Sequence, residues 1–170
     1  MLELILGGAR SGKSSFAEHK AKESGLNVTY IATATVYDEE MQKRVDHHRE
    51  QRPDYWSVIE EPYDLAGVLQ KEAREDKCIL VDCLTLWVTN LLCIEDKALW
   101  PQKRQELLEI LPTLPGCILM VSNEVGMGIV PMGELSRQFV DESGRLHQSI
   151  ARTADEVTFV AAGLPLTMKG

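Results

Sequence analysis

The stretch LELILGGARSGKS, residues 2–14, decides the fold. Leu2, Leu4, Ile5 and Leu6 make a short apolar strand, Gly7 and Gly8 break it, and from Lys13 a helical pattern runs to about Ser24, where Gly25 stops it. Strand, glycine loop and helix follow one another in the order that an anion-binding loop requires. Gly7, Gly8, Ala9, Arg10, Ser11, Gly12, Lys13 and Ser14 match the string G-x-x-x-x-G-K-S. In that arrangement backbone N–H groups of the loop and the helix N-terminus point at a phosphate, and the glycines permit its close approach. Lys13 then reaches the β- and γ-phosphates, and the Ser14 hydroxyl ligates Mg²⁺. A plain glycine turn with an exposed lysine has no need of this context.

Working outward, strands are predicted over 27–33, 56–60, 78–81 and 117–121, with a last one over 157–161. Helices are predicted over 38–52, 63–75, 85–93, 101–111 and 134–154. Asp38 caps the first of these, and Pro53 ends it. Apolar strands without polar alternation, separated by helices, indicate an α/β fold of the P-loop NTPase type: a mostly parallel sheet covered by helices on both faces. Strand order is not readable from the pattern. With 170 residues and neither a linker nor a repeat, the chain reads as one nucleotide-binding domain, 1–170.

A formal charge of −8 argues against nucleic acid or an anionic membrane as the main partner, so any phosphate site has to be locally basic. The apolar region from Cys78 to Ile94 is broken by Asp82 and Asn90, too short to span a bilayer, and reads as a buried strand followed by a helix. MLELILGG lacks the features of a signal peptide, and Cys78, Cys83, Cys93 and Cys117 form no C-x-x-C pair. Reduced core thiols in a cytoplasmic protein are the expectation.

Asp82 ends the strand CILVD, at the place where P-loop enzymes keep the acid that serves Mg²⁺; a cap on the next helix is the alternative. In DEEMQKRVDHHREQRP, residues 38–53, a helix puts Met41, Val45 and His48 on an apolar stripe and groups His47 with Lys43 and Arg44. Arg49 and Arg52 extend that basic ridge. A neutral imidazole beside cations has the properties of a nucleophile toward phosphorus, although a surface histidine among charges ordinarily only solvates. His19 and His147 read as structural. Residues 124–131, EVGMGIVP, form a loop at the sheet edge whose apolar content indicates a binding loop or subunit contact. Asp141 to Gly144 imitates a GTPase D-x-x-G string inside a helical pattern, and no N-K-x-D string is present.

Nearly the whole chain resembles the bifunctional adenosylcobinamide kinase/adenosylcobinamide-phosphate guanylyltransferase family of cobalamin biosynthesis. The resemblance rests on GGARSGKS (7–14), YIATAT (30–35), DEEMQKRVDHHREQRP (38–53), WSVIEEPYDL (56–65), ILVDCLTLWVTNLL (79–92), SNEVGMGIVP (122–131), SRQFVDESGRLHQ (136–148) and ADEV (154–157). It implies NTP-dependent phosphorylation of adenosylcobinamide, then GMP transfer from GTP to the phosphate through a guanylyl-histidine, matched here by His47. It further implies nucleotide contacts from Ile31, Ala32, Thr33, Ala34 and Thr35, from His48, Arg49, Glu50 and Gln51, from one of Glu60 and Glu61, and from Asp82. GTP, ATP and Mg²⁺ are the implied cofactors, a corrinoid the substrate and a homotrimer the assembly. Where this chain has His147, some relatives have Asn.

Two other readings compete. A single-function P-loop small-molecule kinase has no use for a nucleophilic histidine, and a non-enzymatic GTP-binding regulator would need a guanine motif.

Overall fold

The structure is a computed structural model that describes residues 1–35, 39, 43, 46 and 52–170. Its frame follows from what each strand has to hide. The strands are β1 (Leu2–Gly7), β2 (Asn27–Ala32), β3 (Ser57–Glu60), β4 (Lys77–Asp82), β5 (Cys117–Asn123), β6 (Glu156–Ala161) and β7 (Leu164–Lys169). They form a seven-stranded sheet in the order β3-β2-β4-β5-β1-β6-β7. Every pairing is parallel except β6 with β7. The helices are α1 (Lys13–Glu23), α2 (Leu65–Glu72), α3 (Leu84–Leu92), α4 (Leu99–Ile110) and α5 (Glu134–Thr153), with a 3-10 turn at Leu111–Thr113.

Alternate residues of the central strands go to opposite faces, and both faces are covered. Leu2, Leu4 and Leu6 of β1, Ile79 and Val81 of β4, and Ile118 and Met120 of β5 share one core with Leu65 and Leu69 of α2, Leu84 and Leu91 of α3, Leu107 of α4, and Leu146 and Ile150 of α5. Trp87 and Trp100 meet edge to face in this layer, their ring centres 5.5 Å apart. Ile5, Leu80, Leu119 and Val121 point the other way, onto Ala17 and Ala21 of α1. The small alanines let that helix lie close on the sheet, and its C-terminal end carries Lys20 over β1.

Glu3, fully buried in β1, is held by this lysine: Lys20 Nζ lies 2.5 Å from Glu3 Oε2 and 2.7 Å from Glu156 Oε2, and the Thr158 hydroxyl donates to Glu3 Oε1 at 2.8 Å. Burial pulls the Lys20 pKa down, and hydrogen bonds to Glu156 and Glu3 more than reverse this.

The strand predicted to be last is followed by another. Residues 164–169 pair antiparallel with β6 as β7, exposed along their length, so no apolar run announces them. The helix predicted over 63–75 is shorter, Leu65–Glu72, because Glu61 closes the turn before it with hydrogen bonds from Tyr63 N and Asp64 N. Cys78, Cys83 and Cys117 are buried free thiols, but Cys93 is exposed at the C-terminal end of α3. Asp141 to Gly144 lie inside α5, as a helical pattern requires. Glu39, Lys43 and Asp46 are helical and exposed; Arg52 apart, the rest of 38–52 lies outside the described residues.

Removing the cation that meets Glu3 leaves a carboxylate buried with one hydroxyl partner. Lys20→Met is expected to destabilise the fold by on the order of 3 kcal/mol, read as a lowered urea midpoint. An unchanged midpoint contradicts the role given to this pair.

Candidate nucleotide site

β1 lies between β5 and β6, so its end delivers the glycine loop to the middle of the sheet's C-terminal edge. The loop is tied on both sides: Glu124 N donates to Gly7 O at 3.0 Å, and Gly163 N donates to Ser11 O at 2.8 Å. Position 7 admits no side chain, since a Cβ there would stand 2.5 Å from both Ser11 Oγ and Val160 O. Gly12 has φ +92°, a conformation that glycine adopts without strain, and its amide leads into α1. Ala9 and Arg10 are exposed at the tip, and Ser14 is half-buried in the first turn of α1. Ser11 Oγ is buried without a hydrogen-bond partner.

The lysine of the motif does not stand out from the rim. Lys13 is 8% exposed and folds back over its own loop, donating to Gly8 O at 3.0 Å. Burial lowers its pKa from the ordinary lysine value, opposed by Cys83 and Asp82. A partly desolvated ammonium held across the loop is aimed where an oxyanion would sit.

Glu60, Ala32, Asp82 and Val121 occupy successive places across β3, β2, β4 and β5. The sequence-predicted positions on these strands therefore converge on one edge. Tyr30 donates to Asp82 Oδ2 at 2.9 Å, and the Arg52 guanidinium lies 3.8 Å from the centre of the Tyr30 ring. Thr33 is fully buried, its hydroxyl accepting from Cys83 N at 2.9 Å and donating to Cys83 O at 2.6 Å. Asn90 donates to Thr33 O at 2.7 Å and to Pro62 O at 3.2 Å. Ala34 and Thr35 are half-buried beyond it, with Thr35 Oγ1 buried and unpartnered. Ile31 is packed in the core, fully buried between β3 and β4. Of the two glutamates, Glu61 spends a carboxylate oxygen on the turn before α2, whereas Glu60 is exposed at the end of β3.

On the other side of the loop, Asn123 N donates to Thr85 Oγ1 at 2.6 Å, Thr85 Oγ1 lies 3.3 Å from Ser122 Oγ, and Ser122 Oγ lies 2.7 Å from His147 Nε2. Burial pushes the His147 pKa down to about 4, against a small upward pull from Glu124. Past Asn123 the chain leaves the sheet. Glu124 accepts from Gly126 N and Met127 N, which turns the loop outward, and Met127, Ile129, Val130 and Met132 are 75% or more exposed on it. Neither His147's partner nor the Tyr30–Asp82 contact was foreseen. The useful signals were a tyrosine one strand over from CILVD and hydroxyls flanking the end of CILMVS, but partners 25 and 52 residues apart carry no local pattern.

His47, His48, Arg49, Glu50 and Gln51 lie outside the described residues. For Mg²⁺ the donor set fits: Asp82 supplies a carboxylate and Ser14 a hydroxyl, both hard oxygens, with nucleotide phosphates completing the shell. Among the described residues no group of three or more His, Cys, Asp or Glu could hold an ion unaided.

Sheet order, glycine loop and carboxylate-ending strand define a P-loop NTPase fold. Solved structures agree: a type III secretion system ATPase has a TM-score of 0.57 at 11% identity over 98% of this chain and 56% of its own. The P4 protein from bacteriophage phi13 has a TM-score of 0.52 at 15% identity, over 97% of this chain and 52% of its own. The likeness at such identities concerns the fold alone. Sequence goes further. The chain belongs to the cobinamide kinase/cobinamide phosphate guanyltransferase family, matched over residues 3–168. It is 56% identical to the bifunctional adenosylcobalamin biosynthesis protein CobP of Pseudomonas aeruginosa, over 100% of this chain and 98% of the other. It is 37% identical to the bifunctional adenosylcobalamin biosynthesis protein CobU of Escherichia coli, over 99% of this chain and all of the other. Membership makes it a bifunctional kinase and guanylyltransferase that uses a nucleoside triphosphate and acts on a corrinoid. No helix among the described residues is long and apolar enough to cross a membrane.

His147 generates a pH prediction. Between about 6.5 and about 4 the unfolded chain holds a proton on this imidazole that the folded one does not, so stability falls as pH drops through that window. Each unit costs up to about 1.4 kcal/mol. His147→Asn keeps an acceptor but does not titrate. Its urea midpoint is expected to fall less than the parent's between pH 7 and pH 5, and equal slopes count against a buried neutral His147.

Proposed function

We propose that this chain phosphorylates the aminopropanol hydroxyl of adenosylcobinamide and then transfers GMP from GTP to the resulting phosphate through His47, giving adenosylcobinamide-GDP. The observation that carries the reading is the buried Lys13 ammonium held across the glycine loop, with Asp82 at the end of β4 on the same sheet edge. ATP or GTP serves the first reaction and GTP the second. Asp82 and Ser14 hold Mg²⁺, which when bound neutralises phosphate charge and orients the polyphosphate.

In the kinase step the substrate hydroxyl oxygen attacks the γ-phosphorus and gives up its proton to solvent, the bond to the β–γ bridging oxygen breaks, and the nucleoside diphosphate leaves. Lys13 and the loop amides meet the charge that develops on the phosphoryl oxygens. In the second step a neutral ring nitrogen of His47 attacks the α-phosphorus of GTP and pyrophosphate departs. The corrinoid phosphate oxygen then displaces the histidine, breaking the P–N bond. Lys43, Arg44 and Arg49 beside it in sequence favour the neutral imidazole and the leaving group. Ala32, Ala34, Thr35, Glu60 and the stretch His48 to Gln51 contact nucleotide, and the fully buried Ile31 and Thr33 support that edge from behind. Glu61 stays with the turn before α2. The protein works as one domain, 1–170, in the cytoplasm, without nucleic acid, and as a homotrimer, to which the exposed Leu164, Leu166 and Met168 of β7 offer apolar contact area.

Two outcomes test this. Lys13→Ala is expected to fold and to lose more than about 100-fold of both transfers, on the order of 3 kcal/mol of transition-state stabilisation; near-normal turnover rejects the loop assignment. His47→Ala is expected to retain phosphorylation of cobinamide while losing the acid-labile, base-stable protein label formed from α-labelled GTP. Undiminished labelling, or label mapped to His48, overturns the covalent route.

A further inference from the structure

The buried line from α5 to the end of β5 has no part in the chemistry above, yet it runs to the two places where that chemistry is held. Thr85 belongs to the first turn of α3, three residues after Asp82, and its hydroxyl accepts from Asn123 N. Asn123 ends β5, and the next amide, Glu124 N, holds Gly7 O at the mouth of the phosphate loop. Ser122 stands behind Thr85, and His147 reaches it from α5, the helix that resumes the chain after residues 124–133. The 124–133 segment is thus held where it leaves β5, by contacts from α3 and from the middle of α5.

The groups are built for this contact. Thr85, Ser122 and His147 are each 9% exposed or less. The order Asn123 N–H to Thr85 Oγ1, Thr85 O–H to Ser122 Oγ, and Ser122 O–H to His147 Nε2 gives each hydroxyl proton an acceptor and ends on the lone pair of a neutral imidazole. Replacing the terminal acceptor leaves a buried hydroxyl proton without a partner, so the Ser122 side chain turns to find another and shifts the Thr85 hydroxyl against it, on which Asn123 N rests. Glu124 is the charged group facing the imidazole. Its carboxylate is engaged by Gly126 N and Met127 N and is not a member of the line, whose own groups are a backbone amide, two hydroxyls and an imidazole.

We infer that His147 is a positioning residue: through Ser122 and Thr85 it sets the placement of Asn123 and Glu124, and with them the loop that borders the phosphate site on the side away from Tyr30 and Arg52. The inference rests on the proposed function for its reaction. Nucleotide is gripped by the glycine loop, Lys13 and the β2–β4 edge, which the line reaches only through the single Glu124 N–Gly7 O bond at the loop's start. Its loss therefore acts on the transfer to the corrinoid rather than on nucleotide binding.

The experiment is steady-state phosphorylation of cobinamide by the full chain, with kcat and the nucleotide KM measured separately. His147→Leu is expected to lower kcat by at least about 10-fold with the nucleotide KM within about twofold. His147→Asn, whose amide oxygen accepts in place of Nε2, is expected to keep kcat within about threefold of the parent. Ser122→Ala, which removes a single oxygen, gives the same readout should His147→Leu not fold. The double variant Ser122→Ala/His147→Leu is expected to fall no further than the worse single variant, because the residues act as one unit. Parental kcat in both Ser122→Ala and His147→Leu overturns the inference, as do losses that multiply or an Asn variant as slow as the Leu one. A parent chain that binds nucleotide but does not phosphorylate cobinamide overturns the proposed function, and this inference with it. That outcome is visible before any variant is made.

Discussion

A side chain at position 7 would collide with Ser11 Oγ and Val160 O, and much of the site depends on that space being empty. Because Gly7 lets the chain turn there, its carbonyl faces Glu124 N while the loop closes toward α1, and Gly163 N takes up Ser11 O from the opposite side. Three separate segments, the ends of β5, β1 and β6, are in this way held to a common edge by backbone hydrogen bonds. An anion site made of amides needs this rigidity, since its donors cannot reorient as side chains do.

The edge then divides by chemistry. Toward β4 and β2 it is polar: Tyr30 steadies one oxygen of Asp82, Arg52 lies on the Tyr30 ring, and Thr33 and Asn90 lock the chain where β2 ends. Away from these, residues 125–132 present apolar side chains on a backbone shaped by Glu124. A triphosphate with its ion suits the first region. On the proposed function a macrocyclic acceptor would need apolar support close to the loop, and the exposed side chains of the second region offer it.

Much of this could be read in advance, and the reasons differ by element. The inner strands were legible because residues such as Ile79 to Val81 and Ile118 to Val121 are buried on both faces and so carry unbroken apolar runs. The phosphate loop was legible because its geometry is local, fixed by glycines five residues apart. β7 was not, although Leu164, Leu166 and Met168 alternate along it, since Pro165 inside so short a run argues against a strand unless it lies at an edge, and its partner β6 supplies the pairing. Strand order and the His147 line were hidden for a common reason: each depends on groups brought together by tertiary packing, with nothing in the intervening residues to mark the pair. Glu61 was a nearer miss, because a carboxylate two and three residues before Tyr63 and Asp64 is itself a turn signal.

Polar burial in this protein follows two designs, and the difference bears on function. Glu3, Lys20, Glu156 and Thr158 form a charged cluster between α1 and the sheet. Its one ammonium faces two carboxylates, Glu3 buried and Glu156 open to solvent, and it fixes how the helix carrying Lys13 lies on β1. Thr85, Ser122 and His147 form a neutral line on the other face of the sheet, at its C-terminal end, and fix how the chain leaves β5. A charge placed on that line would add a field a few residues from a polyphosphate and would disrupt a hydroxyl order that neutral groups satisfy. Burial pushes the His147 pKa down to about 4, so at neutral pH the imidazole is uncharged and the line can hold the edge of the site without adding a charge to it.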